Sequence, residues 1–222
     1  IIESGAINKL PEILKRERFA DKKNIVMVCD ENTYEVAGKQ VEKLLSGIKK
    51  VVLNPENLHA NEHGVALCEE GLTAAGEVDL MIAVGSGTVH DITRYHAYNK
   101  KIDFISVPTA ASVDGFVSTV AAMTWKGCKV SITACSPVIV VADTDIFKNA
   151  PLRLTASGVS DLLGKYTALA DWKIAHILTR EYICEEICEM EYKALDSLKE
   201  SLSGLTKKST ESYEALMYGL LL

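Results

Sequence analysis

No stretch of the chain stays apolar for the roughly 18 residues that a membrane span requires, and no signal peptide can be read at its start. Basic clusters are missing too. Lys22-Lys23 and Lys207-Lys208 are only pairs, and a net charge of −6 disfavours nucleic acid and anionic membrane surfaces as partners. No Cys-x-x-Cys occurs among Cys29, Cys68, Cys128, Cys135, Cys184 and Cys188. The closest pair, Cys184 and Cys188, has helical i,i+4 spacing in an apolar pattern, so the thiols read as reduced core residues in a cytoplasmic protein. Repeats and low-complexity segments are absent, which removes solenoids and disordered tails.

What is present is a core. Hydrophobic residues make up 48% and charged residues 24% of 222 positions, enough for one large α/β domain or for a nucleotide-binding domain and part of a second. The chain begins at Ile1, and Glu214 to Leu222 reads as an apolar helix without a polar exit, so an incomplete protein is expected.

Apolar runs of strand length alternate with segments of helical spacing. A short strand opens the chain, and Ala6 to Glu17 reads as a helix with Pro11 near its start. Strands are expected at Asn24–Cys29, Lys50–Leu53, Leu80–Val84 and Asp103–Val107, with helices at Tyr34–Leu45, Asn61–Thr73 and Val89–Tyr98 between them. That order implies a parallel sheet covered on both faces, with ligands at the carboxyl ends of its strands. From Thr119 the pattern becomes a hairpin around Trp125-Lys-Gly127, then a strand at Pro137–Ala142, and after Ala150-Pro151 it is helical. The domains are therefore read as 1–149, α/β and nucleotide-binding, and 150–222, the start of an all-α domain.

Leu80-Met-Ile-Ala-Val-Gly-Ser-Gly-Thr-Val-His-Asp91 carries the strongest chemical signal. A buried strand delivers Gly85 and Gly87 to a helix start, where unpaired N–H groups and the positive dipole end suit an anion such as a pyrophosphate. A tight βα turn with no ligand would also use these residues. The loop is not the usual dinucleotide fingerprint: His90 occupies the third glycine position, and the loop follows the third strand. No Gly-Lys-Ser/Thr follows, so a Walker loop is excluded. Asp30, in the loop Asp30–Thr33 that follows the first long strand, is available for ribose hydroxyls, and Asp91 is expected in the first helical turn.

The ordered set Gly85-Ser-Gly-Thr-Val-His-Asp91, Pro108-Thr-Ala-Ala-Ser-Val-Asp-Gly115 with Ser118, Ala150-Pro151, Gly158-Val-Ser-Asp161-Leu-Leu-Gly-Lys165 and Asp171-Trp172 resembles the sn-glycerol-1-phosphate dehydrogenases. These belong to the iron-dependent alcohol dehydrogenase and dehydroquinate synthase-like superfamily. The resemblance spans essentially the whole chain. It implies an amino-terminal nucleotide-binding α/β domain, a helical metal domain lacking its carboxyl-terminal part here, and an active site between the two. It implies NAD or NADP contacts at Gly85, Ser86, Gly87, Thr88 and Val89, and further ones at Thr109, Ser112, Ser118 and Lys165. Asp114 would bind substrate, while Asp161 would bind both substrate and one divalent metal ion, zinc by preference, with nickel or iron as alternatives. The implied partners are a small polyol or polyol phosphate and further copies of the chain, and the implied setting is phospholipid metabolism.

Hydride exchange between a ketone and a nicotinamide needs a Lewis acid or proton donor at the carbonyl and a rigid bed for the cofactor. Asp161 alone cannot hold a metal, because catalytic zinc takes three protein ligands. His176 lies 15 positions further along what reads as one helix, about 22 Å away, and cannot share the ion. His90 and His96 read as solvated or capping residues. His59-Ala-Asn-Glu62-His63 matches H-x-x-E-H but straddles a helix start, which favours a polar turn. Asp161 also reads as a helix-start carboxylate, Asp114-Gly115 as a turn dipeptide and Trp172 as core packing. The functional expectation is interconversion of dihydroxyacetone phosphate and sn-glycerol 1-phosphate. The alternatives are a glycerol dehydrogenase and a nucleotide-binding fragment without turnover.

Overall fold

A computed structural model describes all residues, Ile1–Leu222. The chain opens with β1 (Ile2–Glu3), a 3-10 turn at Ala6–Lys9 and α1 (Leu10–Ile13). The single helix expected over Ala6 to Glu17 is broken because Pro11 has no N–H for a bond back to Ile7 and its ring crowds that carbonyl. β2 (Ile25–Asp30) runs into α2 (Glu31–Thr33), a π turn at Tyr34–Gly38 and α3 (Lys39–Leu44). Asp30 and Thr33 form a reciprocal capping box at that start. β3 (Lys49–Leu53), α4 (Glu62–Ala75, capped by Asn61), β4 (Leu80–Gly85), α5 (Gly87–Lys100) and β5 (Asp103–Pro108) follow the expected alternation.

β6 (Val120–Trp125) and β7 (Cys128–Thr133) form the expected hairpin, and both of its turn residues, Lys126 and Gly127, have positive φ (50° and 77°). The strand expected at Pro137–Ala142 is divided. β8 (Ile139–Val140) joins β5, whereas β9 (Ala142–Asp143) pairs with β1. Asp143 then fixes the amino-terminal segment, since its carboxylate accepts from the amides of Gly5 and Ile7. The rest is helical: α6 (Thr144–Phe147), α7 (Leu152–Leu163), α8 (Lys165–Thr179), α9 (Glu185–Leu205) and α10 (Thr210–Leu220).

The main sheet is parallel with strand order β3-β2-β4-β5-β8. Its central strand β4 is buried at every position, as an apolar strand covered on both faces must be. Leu80, Ile82 and Val84 join the core beneath the amino-terminal helices, while Met81 and Ala83 join the one beneath α4 and α5. A third core unites Leu162, Leu195, Leu198 and Leu216 of the helical region with Ala111, Phe116 and Phe147. That third core fixes the helices against the carboxyl ends of the strands. No helix is long and apolar enough to cross a membrane.

Candidate functional site

The site begins at Ser86, the residue before α5. Its backbone is extended, and its side chain makes no capping bond. The first amides of α5 therefore lack a side-chain partner and face the cleft with the positive end of the helix dipole. The two flanking glycines differ in purpose. A Cβ on Gly85 would lie 2.6 Å from Val89 Cβ, so this glycine lets the turn close on its own helix. A Cβ on Gly87 would meet only Val113, at 3.5 Å, and one on Gly115 would meet nothing within 4 Å. The protein itself does not require those two glycines, and both border the cleft. The open space over Gly87 and the free amides fit a phosphate-bearing ligand.

Two adjoining hollows make up the cleft. The larger, about 720 Å³, is lined by Gly87, Asp114, Ser118, Asp161 and Lys165 among others. The smaller, about 400 Å³, is lined by Ser86, Gly87, Thr88 and Ser112. Gly87 and Asp91 border both. Most of the residues singled out from sequence thus converge. Asp30, Gly85, Val89 and Thr109 line neither hollow. Asp30 stands at the carboxyl end of β2 with Oδ1 accepting from Thr33 N at 2.8 Å, Val89 is packed in the core, and Thr109 N donates to the Gly85 carbonyl at 2.8 Å.

On the opposite wall, Asp161 Oδ2 accepts from Asp114 N at 2.8 Å. Lys165 Nζ lies 3.2 Å from Asp114 Oδ2 and 3.4 Å from Glu191 Oε1. Burial pushes the Asp161 carboxyl above the usual carboxylate range, and the neighbouring Asp114 charge adds to the rise. Burial pulls Lys165 down, but the charges of Asp114 and Glu191 outweigh it and leave the ammonium above its ordinary value. Asp161 is not a helix-start residue. α7 begins at Leu152, so Asp161 sits near the carboxyl end, where the dipole opposes a negative charge. His176 is not on the same helix, because Gly164 separates α7 from α8; its Nδ1 bonds the Glu181 carbonyl at 2.7 Å.

The floor of the cleft holds residues whose roles the sequence reading missed. α5 starts at Gly87, which puts Asp91 in the second turn. Its carboxyl is pushed up to about 6, by burial first, against the opposing pull of Arg94. Arg94 is wholly buried. It donates to the carbonyls of Val120 (2.8 Å), Gly115 (2.6 Å) and Phe116 (2.9 Å), tying the loop that carries Asp114 and Ser118 to α5. His90 and His96 are buried too, not solvated, and His96 Nε2 bonds the Val65 carbonyl at 3.0 Å. His59 and Glu62 belong to the turn and first residue of α4, where Glu62 accepts from Lys126 N at 2.6 Å. Trp172 packs against the helical core and donates to the Tyr182 carbonyl.

A family model described as iron-containing alcohol dehydrogenase matches residues 1–151. This chain belongs to that family. It is 34% identical to a glycerol-1-phosphate dehydrogenase (NAD(P)+) of Geobacillus thermodenitrificans, over 100% of this chain and 55% of the relative. Against the enzyme of the same name from Bacillus subtilis it is 36% identical, over 100% of this chain and 57% of the relative. Among solved structures, a probable glycerol dehydrogenase from Sinorhizobium meliloti superposes with a TM-score of 0.79 at 17% identity, over 99% of this chain and 62% of that one. The chain therefore spans about half the length of the curated relatives it matches. The family's description implies a metal, yet no three His, Cys, Asp or Glu side chains of this chain converge on a point. Asp161 offers one ligand where a catalytic site takes three. These residues alone do not build the metal centre.

Proposed function

We propose that the complete protein is an NAD(P)-dependent, metal-dependent oxidoreductase that interconverts dihydroxyacetone phosphate and sn-glycerol 1-phosphate. One observation carries the reading: Gly87, at the start of α5, and the Asp114, Asp161 and Lys165 cluster line one hollow, which adjoins the hollow lined by Ser86 and Thr88. The nicotinamide, when bound, accepts or returns the hydride. Gly85, Ser86, Gly87, Thr88 and Val89 form the turn that receives the pyrophosphate, Thr109, Ser112 and Ser118 flank it, and Asp30 reaches the ribose side. Asp114, fixed by Lys165, orients substrate hydroxyls. Asp161, whose Oδ2 is taken by the Asp114 amide, keeps Oδ1 for the substrate or for one divalent ion, zinc, nickel or iron.

A phosphorylated substrate is favoured over free glycerol by Lys129, which lines the same hollow and makes no ion pair or hydrogen bond with the protein through its side chain. We further place the protein in the cytoplasm, where six thiols stay reduced, as a homo-oligomer with domains divided at 149/150. The test uses the complete protein with dihydroxyacetone phosphate and dihydroxyacetone, NADH and NADPH, before and after chelation. Preferred, chelator-sensitive reduction of the phosphate ester is expected. Equal turnover of the unphosphorylated ketone overturns the substrate, and turnover that survives chelation overturns metal dependence.

A further inference from the structure

His90 lies one helical turn beyond Ser86 and is 1% exposed. Its Nδ1 is 2.9 Å from the Ser86 carbonyl, and its Nε2 is 2.7 Å from Ser106 Oγ on β5. A carbonyl oxygen can only accept, so Nδ1 carries a proton, and because burial keeps the ring uncharged, Nε2 accepts from the Ser106 hydroxyl. The ring is thereby fixed as one neutral tautomer. Phe116 holds it from the side, with ring centroids 4.9 Å apart at 82°. The Ser86 carbonyl also receives the His90 amide at 3.1 Å, so two bonds from one residue converge on it.

We propose that His90 is a positioning residue for the dinucleotide: by bonding the Ser86 carbonyl from Nδ1 and the Ser106 hydroxyl at Nε2, it locks the turn that presents the α5 amides onto the central sheet. This rests on the reading that those amides receive the pyrophosphate. The Ser86 peptide is the last before the helix, so its tilt sets the direction of the Gly87 N–H. Burial and the adjacent Arg94 charge keep the imidazole uncharged at neutral pH, which preserves the tautomer.

The geometry separates the two bonds. An Asn amide nitrogen occupies the place of Nδ1, and Asn99 on this same helix already makes the equivalent bond, to the Tyr95 carbonyl four residues back at 2.9 Å. A Gln amide reaches the place of Nε2 instead. His90→Asn should therefore keep the turn, His90→Gln should release it, and Ser106→Ala should lie between them.

The experiment is calorimetric titration of the complete protein and these variants with NAD+ and NADP+, together with thermal melts and long-range nitrogen–proton spectra of the histidines. The expected result is a dissociation constant within about twofold of wild type for His90→Asn, a roughly tenfold weaker one for His90→Gln, and an Nδ1–H signal for His90 in the wild type. Equal binding by both variants overturns the proposal, as does equal weakening of both in step with lowered melting temperature, which would mark a packing role only. If the wild type binds neither dinucleotide, it is the cofactor reading that fails, a result distinct from either of those.

Discussion

The Asp114 amide and the Asp161 carboxylate are joined by a 2.8 Å hydrogen bond that spans 47 residues of sequence and links the loop after β5 to α7. Nearby, a Cβ on Gly158 would sit 2.1 Å from the Ala111 carbonyl, so the same helix and the same loop also meet backbone to backbone. The wall of the cleft is held by the helical region, and its chemistry depends on that docking. Asp161 Oδ2 serves that docking, Oδ1 is the oxygen proposed to meet the substrate or the metal, and substitutions can separate the two.

Asp161→Asn retains an oxygen for the Asp114 amide but loses the charge, whereas Asp161→Ala loses both. Both variants are expected to lower kcat/KM by roughly a thousandfold, about 4 kcal/mol of transition-state stabilisation. Only the alanine variant should also melt earlier. Steady-state kinetics and thermal melts on the two variants make the comparison, and near-normal turnover by Asp161→Asn would show that the carboxylate charge is not needed.

Lys165 bridges Asp114 and Glu191, whose side chain is only 9% exposed and whose Oε2 is buried without a partner. Lys165→Met leaves that carboxylate buried and uncompensated. The loss should be about 2 kcal/mol of folding stability, below the full cost of breaking a buried pair because Lys165 itself is partly exposed. Adding Glu191→Met should restore most of it. Urea denaturation of the single and double variants measures this, and additive losses would contradict the pairing.

Gly85→Ala and Gly87→Ala separate folding from binding. The first places a methyl 2.6 Å from the β-branched Val89 and should cost about 1–3 kcal/mol of stability. The second meets an ordinary contact with Val113, so the melting temperature should hold while dinucleotide affinity falls. A Gly87→Ala protein that binds NAD(P) as well as wild type would remove the main argument for a phosphate over that residue.

The parallel sheet was legible because β2 and β4 are apolar runs of strand length and β5 is nearly so, alternating with segments of helical spacing, as strands covered on both faces are. The glycine loop, Ser112, Asp114, Ser118, Asp161 and Lys165 were legible as an ordered set of motifs. Arg94 was not. A lone arginine in a helix reads as a solvated charge, and its three carbonyl partners at Gly115, Phe116 and Val120 lie 21 to 26 residues away. His90 was hidden for the same reason, since its partner Ser106 is on the next strand. The division of Pro137–Ala142 into β8 and β9 depended on β1, at the far end of the sequence.

His90 and Asp91 are adjacent on α5 and shift in opposite senses. Burial lowers His90 from 6.5 to about 4, so the stability it contributes is complete above pH 6.5 and is lost as pH falls toward 4. Burial raises Asp91 from 3.8 to about 6, so its contribution is complete below pH 3.8 and is lost as pH rises through 6. Each is worth about 3 kcal/mol at its limit. Between pH 4 and 6 the two slopes oppose each other, and the wild type conceals both. His90→Asn should leave Asp91 unopposed, so that stability relative to wild type falls from pH 4 to 6. Asp91→Asn should leave His90 unopposed, and its stability relative to wild type should rise over the same interval. Urea denaturation at several pH values across this range reads the slopes directly. Parallel pH profiles for the wild type and both variants would mean that neither group is held away from its ordinary titration.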